Sequence, residues 1–186
     1  MASVLVPLAD GCEELEAVTI IDLLRRAGIE VVTAGLVAGP VTASRGTVLM
    51  PDAELDAVLG REFDMVVLPG GQPGSDHLEA DPRIQTLVRQ MAATGRYVGA
   101  ICAAPKVLAS AGLLQGRRAT SFPGVLDALD LPDTTLTQNA VETDGLIVTS
   151  RGPGTAMDFA LDLIEKLAGA GKRAEVEGPL QRPTRD

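Results

Sequence analysis

The segment GAICAAP, residues 99–105, places Cys102 where an apolar strand changes into a helix. A side chain at such a turn projects above the sheet, as at a nucleophile elbow. Backbone N–H groups and the dipole at the start of the helix stabilise a thiolate. The small neighbours Ala103 and Ala104 leave room for a small ligand. The pattern favours a reactive cysteine, with a buried structural thiol as the alternative.

Two further groups could act with Cys102. The glycine-rich loop 69–74 follows a strand directly, so its backbone N–H groups could form an oxyanion hole; a tight turn is the alternative. The loop has neither the Lys-Ser/Thr ending of a P-loop nor GxGxxG spacing. Glu16 stands among apolar neighbours, which indicates an inward carboxyl group. A buried carboxyl group tends to be protonated and can donate a hydrogen bond to a thiolate.

The other residues with reactive side chains receive structural interpretations. Glu13 and Glu14 begin the first predicted helix, where acidic side chains complement the helix dipole. His77 lies in a polar stretch and is predicted to have a surface or capping role, while Cys12 is predicted to be a loop or core thiol. One histidine and two distant cysteines match no familiar zinc-site spacing. We therefore expect no metal and no cofactor.

The elements that would position these groups alternate between strands and helices. Strands are predicted at 3–8, 29–34, 64–68, 97–101 and 145–150, and helices at 13–27, 52–59, 81–94, 105–111 and 155–167. Residues 41–50 resemble a hairpin, and Asp52 and Asp81 are predicted helix caps. The alternation predicts an α/β doubly wound, mostly parallel sheet with helices on both faces. Ligands bind at the carboxyl ends of such strands, which points to loops 9–16, 69–75 and 101–105.

Composition narrows the class of protein. The 186 residues fit one domain, residues 1–186, with a polar tail at 172–186 that is predicted to pack on the domain or on a partner subunit. Aromatic residues make up 2% and the net charge is −9, which argues against nucleic-acid binding and anionic membranes. We expect no membrane span and no secretory signal. Two cysteines indicate a reducing, cytoplasmic setting.

Several stretches together resemble the DJ-1/PfpI family, which includes the Parkinsonism-associated deglycase, and within it the bacterial YajL-type members. They follow the order of the family and cover almost the whole chain: ADGCEELEAVTIIDLLRRAGIEVVTAGL, SRGTVLMPDAEL, DMVVLPGG, AICAAP and VETDGLIVTSRGPGTAMDFAL. The combination is far more specific than any one motif.

The resemblance implies a flavodoxin-like sandwich, of the class I glutamine amidotransferase-like type, that forms a homodimer. It implies that Cys102 is the nucleophilic, oxidation-sensitive cysteine and that the Glu16 carboxyl group hydrogen-bonds its sulfur. Gly70 and Gly71, with the amide of Ala103, would form the anion pocket. A further set would lie at the pocket or on the dimer side: Arg26, Arg45, Gly152, Pro153 and Pro179.

Two departures from the family pattern limit this expectation. Protease-like members carry a histidine directly after the cysteine, where this chain has Ala103. A Cys-His-Glu hydrolytic triad is therefore absent, and we reject proteolysis. The human-type member has a histidine where this chain has Phe122, before Pro123. The change removes one proposed proton shuttle, so rates inferred from histidine-containing members do not transfer.

Three functions follow as hypotheses. The first is a glutathione-independent glyoxalase III-type lyase, or deglycase hydrolase, that acts on methylglyoxal, glyoxal or their early protein and nucleotide adducts through Cys102 and Glu16. The second is a non-enzymatic, redox-sensing chaperone whose Cys102 is oxidised to a sulfinate during oxidative stress. The third is an inactive scaffold, which the combination of cysteine, glutamate and Gly-Gly loop argues against.

Overall fold

Residues 1–183 are described by a computed structural model, and they contain eleven strands and six α-helices. The strands are β1 (Ser3–Leu8), β2 (Glu30–Gly35), β3 (Val41–Thr42), β4 (Val48–Leu49), β5 (Ala53–Glu54), β6 (Met65–Leu68), β7 (Tyr97–Ile101), β8 (Arg118–Ala119), β9 (Thr135–Leu136), β10 (Val141–Asp144) and β11 (Ile147–Ser150). The helices are α1 (Glu14–Arg26), α2 (Leu55–Val58), α3 (Gly74–Ala80), α4 (Pro82–Ala93), α5 (Pro105–Ser110) and α6 (Ala156–Glu177). Within residues 1–183, no helix is both long enough and apolar enough to cross a membrane.

Seven strands form the central sheet in the order β10-β11-β7-β6-β1-β2-β5. All of its pairings are parallel except the β10–β11 hairpin. Successive side chains of a strand point to opposite faces, so Val4 and Val6 pack in the cluster under α1 and α6, while Leu5 packs in the cluster under α2 to α5. Helices therefore cover both faces, which confirms the predicted flavodoxin-like, doubly wound fold.

Helix α1 follows its predicted pattern closely. Its apolar residues recur with helical spacing, and Ile20, Leu23 and Leu24 are all buried in the core between α1, α6 and the sheet. This stripe is core and does not form a dimer surface. The helix ends before Gly28, whose φ of 73° places it in the left-handed region that favours glycine.

The two predicted aspartate caps have different outcomes. Asp81 caps α4 as expected, because its Oδ1 accepts a hydrogen bond from the Arg83 N–H at 2.8 Å. Asp52 caps no helix. Its Oδ2 accepts hydrogen bonds from the N–H and hydroxyl of Thr33 and from Arg25, at 2.9, 2.8 and 2.8 Å. These bonds hold β5 beside β2 at the sheet edge, so strand pairing overrides the local cap signal.

Other elements depart from the sequence pattern. The predicted hairpin-like excursion is confirmed as the antiparallel pair β3–β4. Helix α3 was not predicted, and it occupies the polar stretch that contains His77. Strand β10 was also missed, because only its pairing with β11 identifies it as a strand. The short parallel pair β8–β9 was likewise missed.

Helix α6 extends ten residues beyond its predicted end, with a change of direction at Gly169, where φ is 85°. The predicted tail at 172–186 therefore begins inside a helix. Its Val176 is buried in the core, and Arg182 forms ion pairs with Asp158 and Glu177 at 2.6 and 2.9 Å. The tail packs on its own domain as far as residue 183; residues 184–186 lie outside the described residues, and contact with a partner subunit stays a prediction.

Candidate active site

The carboxyl ends of β1, β6 and β7 are neighbours in the sheet, so the loops that follow them meet at one place. The N–H of Glu13 donates to the Gly70 carbonyl oxygen at 2.9 Å, which joins the first two loops. A Cβ atom on Gly71 would lie 2.3 Å from the Glu13 nitrogen, and one on Gly70 would lie 2.5 Å from the Cys102 Cβ. The three loops predicted from the sequence thus pack so closely that both positions require glycine.

Cys102 occupies a strained turn between β7 and α5. Its φ of 64° lies in the left-handed region that a residue with a side chain rarely adopts. Two backbone hydrogen bonds hold it there: its N–H donates to the Ser150 carbonyl at 2.9 Å, and its carbonyl accepts from the Phe122 N–H at 2.8 Å. The residue as a whole is 8% exposed. This geometry matches the predicted nucleophile elbow, and strain of this kind clusters at functional sites.

Glu16 lies in the first turn of α1 and is completely buried. Its Oε2 accepts a hydrogen bond from the Gly70 N–H at 2.9 Å. Its Oε1 is also buried and has no hydrogen-bond partner among residues 1–183. The Cys102 sulfur approaches the carboxyl group closely enough to affect the pKa of both groups. The structure therefore places Glu16 beside Cys102, as the resemblance implies.

The environment shifts the pKa of both groups. Burial raises the pKa of Glu16 to about 7, although the Gly70 N–H and the Cys102 thiol act in the opposite direction. Burial likewise raises the pKa of the Cys102 thiol to about 12, and the Glu16 carboxylate adds to this effect. The N–H groups of Ala103, near the start of the helix as the sequence indicated, and of Gly71 lower the Cys102 pKa, but burial and the Glu16 carboxylate together outweigh them.

The protonation states of the two groups are coupled. A proton on Glu16 removes the repulsive charge next to the sulfur and supplies an O–H donor in its place. The Glu16 hydroxyl would then stabilise the thiolate together with the backbone N–H groups of Gly71 and Ala103, which lower the pKa of Cys102. A proton on Glu16 therefore favours a negative charge on the sulfur, in opposition to the burial that raises the pKa of the thiol.

One member of the predicted anion pocket has a different role. The N–H groups of Gly71 and Ala103 lower the pKa of the Cys102 thiol, which suits donors to an oxyanion formed on a group bound to the sulfur. The Gly70 N–H is instead taken by Glu16, so it is not free to bind a substrate oxygen. Gly70 orients the carboxyl group and leaves space for it, since a Cβ atom would lie 2.7 Å from Glu16 Oε2.

Gly152 and Pro153 follow β11 and lie next to the cysteine. A Cβ atom on Gly152 would lie 3.9 Å from the Cys102 Sγ and 3.3 Å from the Phe122 ring. Pro153 begins the 3-10 turn Pro153–Thr155, which leads into α6. The segment therefore forms one wall of the site, as the resemblance implies for the loop beside the cysteine.

The remaining predicted residues lie farther from the cysteine. Arg45 is exposed at the tip of the β3–β4 hairpin, where its N–H donates to Glu14 Oε1 at 3.0 Å. Arg26 ends α1, about 15 Å along the helix from Glu16, and pairs with Asp22 at 2.7 Å. Arg26 is therefore not a pocket residue. Pro179 lies in the exposed turn after α6, and the dimer-side positions of Arg26 and Pro179 stay predictions.

Sequence reasoning missed the groups that hold the elbow. The carbonyl of Ser150 and the N–H of Phe122 are backbone atoms, so no residue type identifies them. For Ser150, the one available signal was its position at the end of β11, the strand that pairs with β7.

The other candidate side chains are structural. Cys12 is fully buried, and burial together with the Glu14 charge raises its pKa to about 12. His77 is exposed on α3, with its Nδ1 3.0 Å from the Asp10 carbonyl oxygen. Within residues 1–183, no group of three or more His, Cys, Asp or Glu side chains could hold a metal ion.

The fold and the site define a class: flavodoxin-like α/β proteins with a cysteine on a strained strand-to-helix turn and a buried glutamate beside it. Comparison with known families gives the particular one. The family model described as the DJ-1/PfpI family matches residues 2–166, and the chain belongs to that family.

Individual relatives agree with this assignment. Protein dj-1beta of Drosophila melanogaster is 44% identical, over 94% of each chain, and the crystal structure of Drosophila DJ-1beta superposes with a TM-score of 0.93 at 42% identity, covering 98% of this chain and 99% of that one. Glutathione-independent glyoxalase DJR-1.2 of Caenorhabditis elegans is 35% identical over 96% of this chain and 95% of its own. The structure of oxidized Toxoplasma gondii DJ-1 has a TM-score of 0.93 at 36% identity and covers 99% and 100%. A closer likeness to YajL-type members stays a prediction.

Proposed function

We propose that this protein is a glutathione-independent glyoxalase that converts small α-oxoaldehydes, such as methylglyoxal and glyoxal, into hydroxy acids. The observation that carries the proposal is the fully buried Glu16, whose pKa of about 7 suits a group that both gives and takes a proton near neutral pH. It lies next to Cys102, the cysteine on the strained turn. The name of the Caenorhabditis elegans relative supports the same activity.

The reaction follows from these positions. The Cys102 thiolate attacks the aldehyde carbon, and the resulting oxyanion, held by the N–H groups of Gly71 and Ala103, takes the proton of Glu16. The Glu16 carboxylate then removes the hydrogen of the former aldehyde carbon as a proton and returns it to the neighbouring carbon, while the hydroxyl proton on the first carbon passes to the oxygen on the second. Water hydrolyses the thioester that results. Methylglyoxal and water thus give lactate, and the thiol is regenerated.

The same site could act on early glycation adducts of proteins and nucleotides. Such an adduct releases the free aldehyde at equilibrium, so consumption of the aldehyde also depletes the adduct. We propose the free aldehyde as the direct substrate, because Cys102 is buried, with 8% of the residue exposed, and such a position admits a small molecule more readily than a protein side chain.

The test is lactate formation from methylglyoxal in the absence of glutathione, followed by NMR. Wild type is compared with Cys102→Ser, which removes the nucleophile, and Glu16→Gln, which keeps the shape but cannot shuttle the proton. Cys12→Ala is the matched cysteine control, because it removes the other buried free thiol and leaves Cys102 and Glu16 unchanged. We expect lactate from wild type and Cys12→Ala and from neither site variant.

Stoichiometric loss of aldehyde without lactate would show that Cys102 only scavenges the aldehyde, and the enzymatic proposal would be wrong. Lactate formation by Glu16→Gln at the wild-type rate would remove Glu16 from the mechanism.

A redox-sensing chaperone is the second candidate, and the oxidized Toxoplasma gondii relative favours it. Peroxide would oxidise the Cys102 thiolate to a sulfinate, whose oxygens the Glu16 hydroxyl and the loop amides would bind. A reducing compartment such as the cytoplasm would keep the thiol free until oxidative stress. Glu16→Gln separates the two functions, because it stops proton transfer and leaves oxidation possible. Intact mass and protection of a client protein from aggregation are the measurements.

We also propose a homodimer. Leu15 and Val18 lie three residues apart on the outer face of α1 and are 49% and 46% exposed. The Thr47 N–H donates to Glu14 at 3.3 Å, which brings Val48, 62% exposed, to the same surface. Exposed apolar groups that adjoin one another favour association.

Val18→Asp tests the dimer, because a charge at an apolar interface opposes association. We expect a dimer for wild type and a monomer for the variant by size-exclusion chromatography with light scattering. Val37→Asp is the matched control, since Val37 is exposed on a different loop. A wild-type monomer at all concentrations would contradict the proposal.

A further inference from the structure

A polar cavity of about 150 Å³ lies on the side of the cysteine turn formed by the segment after α5 and the end of β11. Its lining includes Thr120, Ser121, Thr137, Gln138 and Arg151. The hydroxyl of Thr120 already donates to the Thr137 carbonyl at 3.0 Å, and that of Ser121 donates to the Phe122 carbonyl at 3.0 Å. The side chains of Gln138 and Arg151 are left to contact a bound molecule.

Arg151 is unusual among the cations of this acidic chain. Twelve Lys and Arg side chains form ion pairs with carboxylates. Within residues 1–183 the exceptions are Arg45, Arg89 and Arg151, and Arg89 hydrogen-bonds the Ala111 carbonyl and Gln85. Arg151 is half-buried, and its guanidinium group forms no hydrogen bond or ion pair with any residue in the range 1–183. The Asp127 carboxylate also lines the cavity, but it accepts the Gly124 N–H at 2.9 Å.

The cavity lies beside segments that also border the reactive cysteine, although Cys102 itself does not line it. Arg151 stands between Ser150, whose carbonyl accepts the Cys102 N–H, and Gly152, where a Cβ atom would lie 3.9 Å from the Cys102 Sγ. Adjacent Cα atoms are about 3.8 Å apart, so the Cα atom of Arg151 lies within about 4 Å of the Gly152 Cα atom. Phe122, whose ring faces Gly152, lies between the lining residues 121 and 123. The base of Arg151 is therefore one residue away from the backbone position that faces the sulfur.

We propose that the Arg151 cavity is an anion subsite, which binds a carboxylate or phosphate group carried by the α-oxoaldehyde that reacts with Cys102. The inference rests on the proposed function and narrows its substrate class to anionic α-oxoaldehydes. A guanidinium group binds either anion through paired N–H donors, and an unpaired, half-buried cation gains most from such a partner. Arg151 would orient the anionic end while the aldehyde end reaches the thiolate.

The test compares three substrates: neutral methylglyoxal, dioxovalerate, which carries a carboxylate, and hydroxypyruvaldehyde phosphate. Their products are lactate, hydroxyglutarate and phosphoglycerate. Arg151→Met removes the charge and keeps the length of the side chain, Arg151→Lys keeps the charge, and Arg89→Met is the matched control on α4. We expect Arg151→Met to lower kcat/KM for the anionic substrates by about 10- to 100-fold, mainly through KM.

Methylglyoxal turnover should stay within about twofold of wild type in Arg151→Met, and Arg151→Lys should recover part of the loss. A loss confined to one anionic substrate assigns the subsite to carboxylate or to phosphate. Equal losses of kcat/KM for all three substrates would overturn the subsite. Equal effects of Arg151→Met and Arg89→Met on the anionic substrates would also overturn it.

A second measurement does not depend on turnover. Levulinate, which has the carboxylate but no aldehyde, should slow the alkylation of Cys102 by iodoacetamide in wild type and not in Arg151→Met, as followed by peptide mass. Inorganic phosphate is the corresponding phosphate probe. Protection without turnover would refute the glyoxalase and support the subsite, whereas turnover without protection by either anion would refute the subsite alone.

Discussion

Replacement of Glu16 by Gln should change how the stability of this protein depends on pH. The ordinary pKa of a glutamate is 4.5, and burial raises that of Glu16 to about 7. Below 4.5 the carboxyl group is protonated in the folded and the unfolded chain alike. Between 4.5 and about 7 the folded protein keeps a proton that the unfolded chain has lost. The free energy of unfolding must therefore fall as the pH rises through this window.

The expected magnitude follows from the two pKa values. The difference between 4.5 and about 7 corresponds to ~3 kcal/mol, at ~1.4 kcal/mol for each pKa unit. This stability is fully present below pH 4.5 and is lost above about pH 7. Glutamine can still accept the Gly70 N–H but has no proton to lose, so Glu16→Gln should lack this pH-dependent loss.

The assay is urea unfolding of wild type and Glu16→Gln at a series of pH values from about 4.5 to 8. The quantity of interest is the difference between the two unfolding free energies, in which the contributions of the other carboxylates cancel. Relative to wild type, Glu16→Gln should gain ~3 kcal/mol between the lowest and highest pH. Cys102→Ser, measured alongside, separates the coupled contribution of the thiol.

Parallel stability curves for wild type and Glu16→Gln would refute the reasoning. They would mean that the Glu16 pKa in the folded protein is close to its ordinary value, and a proton shuttle at neutral pH would lose its physical basis.

Three other changes have effects that the structure sets. Gly70→Ala should reduce activity by more than about tenfold and stability by ~1–3 kcal/mol, because the new Cβ would lie 2.5 Å from the Cys102 Cβ; unfolding and lactate assays measure this. Asp81→Ala should lose the α4 cap, ~1 kcal/mol, and lower Tm by about 2 to 4 °C in a thermal scan. Arg118→Met should lower the free energy of unfolding at neutral pH, and by less as acid protonates the buried Glu142, whose pKa Arg118 lowers; urea unfolding at two pH values tests this.

Matched control substitutions show whether each effect is specific to its position or arises from any substitution of the same type. Gly60→Ala should be neutral, because nothing lies within 4 Å of its Cβ position. Arg61→Met removes an ion pair in which both partners are about half exposed, and it should change stability less than Arg118→Met. Equal effects of Gly60→Ala and Gly70→Ala, an unchanged Tm for Asp81→Ala, or equal losses for the two arginine variants would contradict the respective arguments.

The sequence predicted local features where neighbouring residues decide the structure. The Asp81-Pro82 pair identified the start of α4, because a cap and its first turn form within a few residues. Prediction from the sequence failed where distant groups compete for the same side chain. Asp52 has the residue type of a cap, yet Thr33 and Arg25 bind its carboxylate across the sheet edge. The end of α6 was missed, because burial of Val176 keeps a polar segment helical.

The candidate site divides in the same way. The order of strands and helices by itself determined that Cys102 and the Gly-Gly loop share one edge, since parallel strands of a doubly wound sheet present their carboxyl ends together. Only the tertiary structure decided that the Gly70 N–H binds Glu16 while the amides of Gly71 and Ala103 lower the pKa of the Cys102 thiol. It also decided the pKa of Glu16, because desolvation depends on how completely α1 and the loops exclude water. A sequence lists the groups that can react, but their charge states arise from the packing of segments that are far apart in the chain.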